Sequence, residues 1–200
     1  MRRISLWQTI VFLLLAFGFS TPALAQAPTE QIKETTDKVI SILTDPALRE
    51  PDRTEERRGL LRKAADERFD WEEMSRRALA RHWARRTDEE KREFVSLFSD
   101  LLERTYMDRI DGYSGEKVLY EGETVDGDYG IVRARIATET DAQISAEYRV
   151  RRKENGWFIY DVSIEGVSLV NNYRTQFNSI ILKSSYEKLV KRLKAKIAQD

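Results

Sequence analysis

The chain has 200 residues, with 34 Lys and Arg against 34 Asp and Glu, one His and no Cys. Balanced charge gives no basic footprint for nucleic acid, so that class of partner is not expected. The lack of cysteine excludes disulfides and thiol chemistry, so packing must stabilise the fold.

The first 25 residues have the pattern of a secretory signal. Arg2 and Arg3 precede an apolar run over residues 10–19, and Ala23-Leu24-Ala25 is a small-x-small cleavage site. The run is too short for a comfortable membrane span, which makes a retained anchor the weaker alternative. We predict that residues 1–25 are a cleaved signal peptide and that residues 26–200 form a single domain.

Four helices are predicted before residue 112 from apolar residues at three- and four-residue spacing. Thr29 or a neighbour caps the first, which ends near Asp45, and Pro51 opens the second. Asp70-x-x-Glu73 and Thr87-x-x-Glu90 have the capping-box pattern, and they open the third and fourth helices. The fourth, over residues 88–110, has a bulky apolar face: Phe94, Phe98, Leu101, Leu102, Tyr106 and Ile110.

Alternation of apolar and polar residues then predicts four antiparallel strands with one wet face and one apolar face. They cover Val118–Tyr120, Tyr129–Ala137, Gln143–Arg152 and Trp157–Ile164. Two helices, over residues 172–182 and 185–198, close the chain. The expected architecture is α+β, with helices packed on one face of a curved, roughly four-stranded antiparallel sheet.

The turn at Glu154-Asn155-Gly156 sets the register of the last hairpin. A two-residue Asn-Gly turn would place charged residues opposite apolar ones, whereas a three-residue loop with Gly156 left-handed pairs Val150 with Tyr160 and Tyr148 with Val162. We therefore predict the longer loop. It directs Tyr160, Val162 and Ile164 toward the helices and sets Asp161 outward in an ion pair with Arg149.

No catalytic or metal site is predicted. His82 is the single histidine, and no His/Asp/Glu spacing typical of a metal site is present. Asp161 and Glu165 share a strand face, as paired catalytic carboxylates would, but the predicted ion pair is the better use of Asp161. From the residues alone, the large apolar side chains are expected to pack together as an ordinary core.

The C-terminal third carries a recognisable block, W-x-x-Y-D-V-x-x-E-G-V-S-L-V followed by N-Y-R-x-Q-F-N-S-I-I. It resembles the signature of the MlaC family, also called toluene-tolerance or Ttg2 proteins, which are periplasmic phospholipid carriers of Gram-negative bacteria. Phe69-Asp70-x-x-x-Met74-Ser75-x-x-Ala78-Leu79 and the fourth helix extend the resemblance over nearly the whole chain after residue 30. The matching residues of the block are Trp157, Tyr160, Asp161, Val162, Glu165 to Val170, Asn172 to Arg174 and Gln176 to Ile181.

The resemblance implies that residues 26–200 are a single lipid-binding domain, in which helices and sheet enclose an apolar cavity for acyl chains and leave the head group outside. It implies phospholipid as cargo, with no cofactor, no metal and no enzymatic activity, in a monomer of the periplasm. The partners it implies are an outer-membrane lipoprotein complex and an inner-membrane ABC transporter complex, for which Arg76, Arg77, Arg81, Arg85 and Arg86 are a candidate docking surface. A carrier of another amphiphile, such as a hopanoid, and a small periplasmic hydrolase are the alternatives. The expected lipid-binding residues are Phe94, Phe98, Leu101, Leu102, Tyr106, Val132, Ala134, Ile136, Tyr148, Val150, Tyr160, Val162, Ile164, Val167, Tyr173 and Phe177.

Overall fold

A computed structural model describes residues 26–137, 143–154 and 156–199, so the predicted signal peptide lies outside the described residues. The described part forms six α-helices and one open antiparallel sheet, which confirms the α+β class. The helices are α1 (Pro28–Thr44), α2 (Thr54–Asp66), α3 (Trp71–Leu79), α4 (Asp88–Asp111), α5 (Leu169–Lys183) and α6 (Tyr186–Gln199). The strands, in spatial order, are β1 (Lys117–Asp126), β2 (Tyr129–Ala137), β3 (Gln143–Lys153), β4 (Gly156–Ile164) and β5 (Val167–Ser168).

The starts of α3 and α4 follow the predicted capping chemistry, whereas the start of α1 does not. The Glu90 amide donates to Thr87 Oγ1 at 3.2 Å and the Thr87 amide donates to Glu90 Oε2 at 2.8 Å, a complete capping box for α4. Asp70 caps α3 by accepting from the Glu73 amide at 3.2 Å. Thr29 does not cap α1; its own amide donates to Glu123 of β1 at 2.8 Å, so a distant strand caps this helix.

The sheet has one apolar surface, here called the inner face and defined by Val132, Ala134, Ala146, Tyr148, Val150, Ile159 and Val162. The opposite, outer face carries charged pairs such as Arg133 with Glu147, at 3.6 Å. The predicted alternation of wet and apolar faces is therefore confirmed for β2 and β3.

The register of the last hairpin is partly as predicted. Tyr148 pairs with Val162 and Arg149 with Asp161, but Val150 pairs with Ile159 because a bulge inserts Tyr160. The bulge keeps Ile159 and Val162 together on the inner face. The predicted three-residue loop is wrong, because Lys153 pairs with Gly156, and the predicted pairing of Val150 with Tyr160 is wrong too. Tyr160 lies on the outer face beside the ring of Tyr129, 6.0 Å away.

Asp161 is not an outward-facing partner of Arg149. Its side chain is 5% exposed, and its two oxygens accept from Ser168 Oγ at 2.6 Å and from the Val170 amide at 3.0 Å. The second bond satisfies a free backbone amide at the start of α5. The carboxylate also places a negative charge at this helix N-terminus, as the helix dipole favours. The short strand β5, which the sequence did not reveal, places Ser168 where this contact forms.

The helices divide into two groups. Helix α1 lies against the inner face, and α2 packs on α1. Helices α3, α4, α5 and α6 pack on one another, and α3 and α5 also contact β4. Among the described helices, none combines the length and the apolar character needed to cross a membrane.

Candidate functional site

Six of the expected lipid-binding residues belong to a cluster formed by helices alone, which we call the helix cluster. Its members from α4, Phe94 and Phe98, are 0% exposed. They pack on buried side chains of the other three helices, such as Met74 of α3 and Leu189 of α6. The six predicted residues in this cluster are Phe94, Phe98, Leu101, Leu102, Tyr173 and Phe177.

The aromatic rings of the helix cluster contact one another directly. Phe98 lies edge-on to Tyr173 at 5.2 Å and to Phe177 at 5.4 Å between ring centroids, and Phe94 lies edge-on to Phe177 at 5.6 Å. Such edge-to-face pairs are the preferred arrangement of aromatic rings in a packed interior. Since these rings already surround Phe98, the helix cluster has the properties of a finished protein core.

A second set of expected residues lies on the inner face. Val132 and Val150 are fully buried there against Ile32 of α1, and Ala134 is 1% exposed. Tyr148 and Val162 also pack against this group but keep accessible surface, and Ile136 is likewise only partly buried. Ile164, at the far end of β4, is 42% exposed. Along β2, burial of the inner-face side chains therefore decreases from Val132 to Ile136. Along β4 it decreases from Ile159 to Ile164.

The helix cluster and the inner face do not merge into one core. A domain normally has one contiguous hydrophobic core, yet here no buried residue of the described chain belongs to both groups. Phe69, which precedes α3, is partly buried and packs against both. Tyr106 of α4 is another partly buried residue, on the margin of the helix cluster. The apolar surface left half-covered is the feature of the molecule best suited to bind an apolar ligand.

Helix α1 is held on the inner face by polar contacts at its first turn. Gln31 Oε1 accepts from the Trp157 amide and from Arg68 Nη1, both at 2.8 Å, and Arg68 also donates to the Trp157 carbonyl at 2.8 Å. Gly156 makes this close approach possible, because a Cβ there would lie 2.6 Å from Gln31 Oε1 and its φ is +126°. The predicted left-handed Gly156 is therefore confirmed. The close approach of Gln31 requires a glycine at this position in addition to the turn.

Ionic contacts connect the start of α3 to the outer face of the sheet. Asp70 and Glu73 are 3% exposed. Asp70 Oδ2 accepts from Arg151 Nε at 2.6 Å and pairs with Lys153 Nζ at 2.7 Å. Burial disfavours the charge on Glu73, but hydrogen bonds from Arg76 and Arg77 outweigh it and lower its pKa. These contacts tie the helix cluster to the outer side of β3.

Two expected residues lie off the inner face, and one of them, Tyr160, packs at the margin of the helix cluster. Val167 of β5 is 63% exposed. Tyr160 stacks under the guanidinium of Arg77, whose Cζ is 4.1 Å from the ring centroid. Both line a polar groove of about 650 Å³ that also contains Arg149, Arg174 and Asn172. This groove is not apolar enough to hold acyl chains.

The predicted basic docking cluster is largely engaged within the protein. Arg76 and Arg77 pair with Glu73 at 2.5 and 2.7 Å, and Arg86 pairs with Glu90 at 3.2 Å. Arg81 donates to Asn178 Oδ1 at 3.2 Å. In the part of the chain that the structure describes, no group of three or more His, Asp or Glu side chains is placed to hold a metal ion.

Several residues of the inner face, among them Ala146 and Ile159, were not among the expected site residues. Tyr120 and Ile144 continue the face on β1 and β3, and Ile32 covers it from α1. Alternation pointed to Ile144, since it precedes Ala146 and Tyr148 by even steps. Ile32 belongs to the predicted apolar stripe of the first helix, but periodicity alone does not reveal which helix covers the sheet.

A match to a known protein family shows which family this chain belongs to. The family model described as MlaC protein matches residues 33–195, which covers every helix and strand named above in whole or in part. The chain belongs to the MlaC family. The resemblance expected from the C-terminal block is thereby confirmed over most of the sequence.

Two relatives show how far the similarity extends. The chain is 23% identical over 200 aligned positions to the intermembrane phospholipid transport system binding protein MlaC of Haemophilus influenzae, covering 96% of this chain and 94% of that protein. It is 27% identical to a phospholipid-binding protein from Ralstonia solanacearum, solved in complex with a phospholipid. That match has a TM-score of 0.73 and covers 85% of this chain and 96% of the other. The MlaC fold seen here is thus shared with a protein that holds a lipid.

Proposed function

We propose that this protein is a phospholipid carrier that holds the acyl chains of one lipid between the inner face and the helices. The observation that carries the proposal is the half-covered inner face, whose apolar residues are not closed over by the helix cluster. The phospholipid bound to the Ralstonia relative of the same fold supports it. The role involves binding without chemical change, and the lipid is cargo rather than a cofactor.

The energetics explain why a carrier needs such a deep apolar face. Burying one methylene is worth about 0.8 kcal/mol, so two chains of about 15 carbons carry roughly 24 kcal/mol of aversion to water. A protein that covered only half of that surface would extract lipid from a bilayer very slowly. A site that covers all of it makes the transfer nearly neutral, because hydrocarbon passes from one apolar medium to another.

The cellular role in this proposal follows from the family. The Haemophilus relative is named as the binding protein of an intermembrane phospholipid transport system. We propose that the present protein acts as the corresponding periplasmic component, exchanging lipid with an outer-membrane lipoprotein complex and an inner-membrane ABC transporter complex. The signal-peptide pattern of residues 1–25 agrees with this location.

Native mass spectrometry of protein purified from a Gram-negative host tests the proposal. We expect a mass increment equal to one two-tailed phospholipid, released as intact lipid on denaturation. A bound triterpenoid would instead select the carrier of another amphiphile. Protein that stays empty after incubation with phospholipid vesicles would contradict the proposal, and empty protein with esterase activity would favour a hydrolase.

A further inference from the structure

One polar group on the inner face has no hydrogen-bond partner among the residues that the structure describes. Tyr148 lies at the centre of this face, paired with Val132 on β2 and with Val162 on β4. Among the described residues, nothing forms a hydrogen bond with its hydroxyl group. The neighbouring phenol of Tyr120 is different, since it donates to Thr36 Oγ1 of α1 at 2.9 Å.

The Tyr148 side chain packs on the inner face yet keeps accessible surface. Its oxygen is not sealed off by protein atoms. Burial raises the pKa of Tyr148 to about 12. At neutral pH the phenol is protonated and available as a hydrogen-bond donor.

The surroundings of Tyr148 select the kind of acceptor that it could meet. Apart from Tyr120, whose hydroxyl is already bonded to Thr36, the nearest inner-face positions are apolar: Val132, Ala134, Ala146, Val150, Ile159 and Val162. A phosphate or carboxylate would need a cationic partner in so apolar a setting. A neutral acceptor needs only the single donor that Tyr148 offers.

We propose that the Tyr148 hydroxyl donates a hydrogen bond to an ester carbonyl of the bound glycerolipid and so distinguishes ester-linked from ether-linked chains. This inference rests on the proposed function. Below its phosphate, a diacyl phospholipid has no hydrogen-bond donor, and its carbonyl oxygens are its strong acceptors. Burial of an unpaired hydroxyl is unfavourable, and the carbonyl supplies the missing partner without adding charge to the apolar face.

Competition between two lipids measures the proposed bond directly. The purified protein is incubated with vesicles containing equal amounts of a diacyl phosphatidylethanolamine and its dialkyl-ether analogue with chains of the same length. Bound lipid is then quantified by mass spectrometry. We expect the wild-type protein to enrich the diacyl lipid roughly 2- to 10-fold, the range that one net hydrogen bond gives.

The Tyr148→Phe variant keeps the ring and removes only the donor, so its ratio should fall to about 1. Tyr129→Phe is the matched control, because Tyr129 is 46% exposed on the outer face, and it should keep the wild-type ratio. A wild-type ratio of 1, or an unchanged ratio in Tyr148→Phe, overturns the inference while leaving the carrier function intact. Wild-type protein that takes up neither lipid overturns the carrier function as well. The wild-type ratio is decisive by itself if the variant does not fold.

Discussion

The helix cluster and the inner face are both apolar, but only one of them is complete. Phe94 and Phe98 are surrounded by side chains from four helices, whereas Val162 and Ile136 on the inner face keep accessible surface. The same residue types are therefore packed to different degrees in the two regions. Large apolar residues indicate a core only when the topology brings an opposing apolar surface against them.

The comparison also separates the roles of the helices. Helix α4, the longest, packs mainly on α3 and α6 and completes the helix cluster. Helix α1 is the one that covers the inner face, and its attachment depends on Gln31, Arg68 and Trp157. We therefore expect changes in α4 to alter stability and changes on the inner face to alter lipid binding.

The largest effect on stability is expected for Phe98→Ala. Removing a fully buried ring from the helix cluster leaves a cavity, which should lower the free energy of unfolding by about 3 to 5 kcal/mol. Urea denaturation of lipid-free protein measures this loss. Phe158→Ala is the matched control on the partly exposed outer side of β4 and should cost less than half as much. Equal losses would mean that the helix cluster is not the main core.

Gly156→Ala tests the attachment of α1. The new Cβ would meet Gln31 Oε1 at 2.6 Å in a backbone conformation with φ +126°. The unfolding free energy should fall by about 2 to 3 kcal/mol, and bound lipid should dissociate faster. Gly59→Ala is the control, since Gly59 lies in the exposed interior of α2 with no atom within 4 Å of a built Cβ. Alanine there should stabilise by about 0.5 to 1 kcal/mol, and a gain from both variants would rule out the close approach.

Val162→Trp tests the inner face itself. Val162 keeps accessible surface on the inner face, so a larger side chain there would occupy the space assigned to the acyl chain. We expect about tenfold weaker lipid binding, or about 1.4 kcal/mol, with a small change in the stability of lipid-free protein. Leu119→Trp, on the 50% exposed outer side of β1, should leave binding unchanged. Undiminished binding in Val162→Trp would place the lipid elsewhere.

The smallest effect is expected for Glu73→Gln and concerns pH. The folded-state pKa of Glu73 lies below its ordinary value of 4.5, so its contribution is complete above pH 4.5 and is lost as the pH falls through the lowered pKa. The variant should lose about 1 kcal/mol at pH 7 and show a shallower decline in acid. Thermal unfolding at several pH values compares the two proteins, and parallel curves would exclude this role.

Much of the fold follows from local sequence patterns. The Thr87-x-x-Glu90 capping box fixes the start of α4, and alternation gives the limits of β2 correctly. The predicted pairing of Arg149 with Asp161 as strand neighbours is also observed. These features depend on neighbouring residues or on a single hairpin, which sequence periodicity describes well.

The features that sequence patterns did not reveal depend on distant contacts. The bulge at Tyr160 is favoured because it keeps Trp157, Ile159 and Val162 on one face, which only the assembled sheet requires. The separation of the helix cluster from the inner face is likewise a property of topology, because spacing within α4 cannot show whether Phe98 meets a helix or the sheet. The expected site therefore combined core residues with inner-face residues.

Photolabelling with a phospholipid that carries a diazirine in its acyl chain tests the central claim most directly. After irradiation, peptides that span the adducts are located by tandem mass spectrometry. The account predicts adducts on inner-face residues, above all Ala134, Tyr148 and Val162, and none at Phe98 in the helix cluster. Adducts confined to the outer face, or to the polar groove beside Arg149 and Arg174, would contradict it.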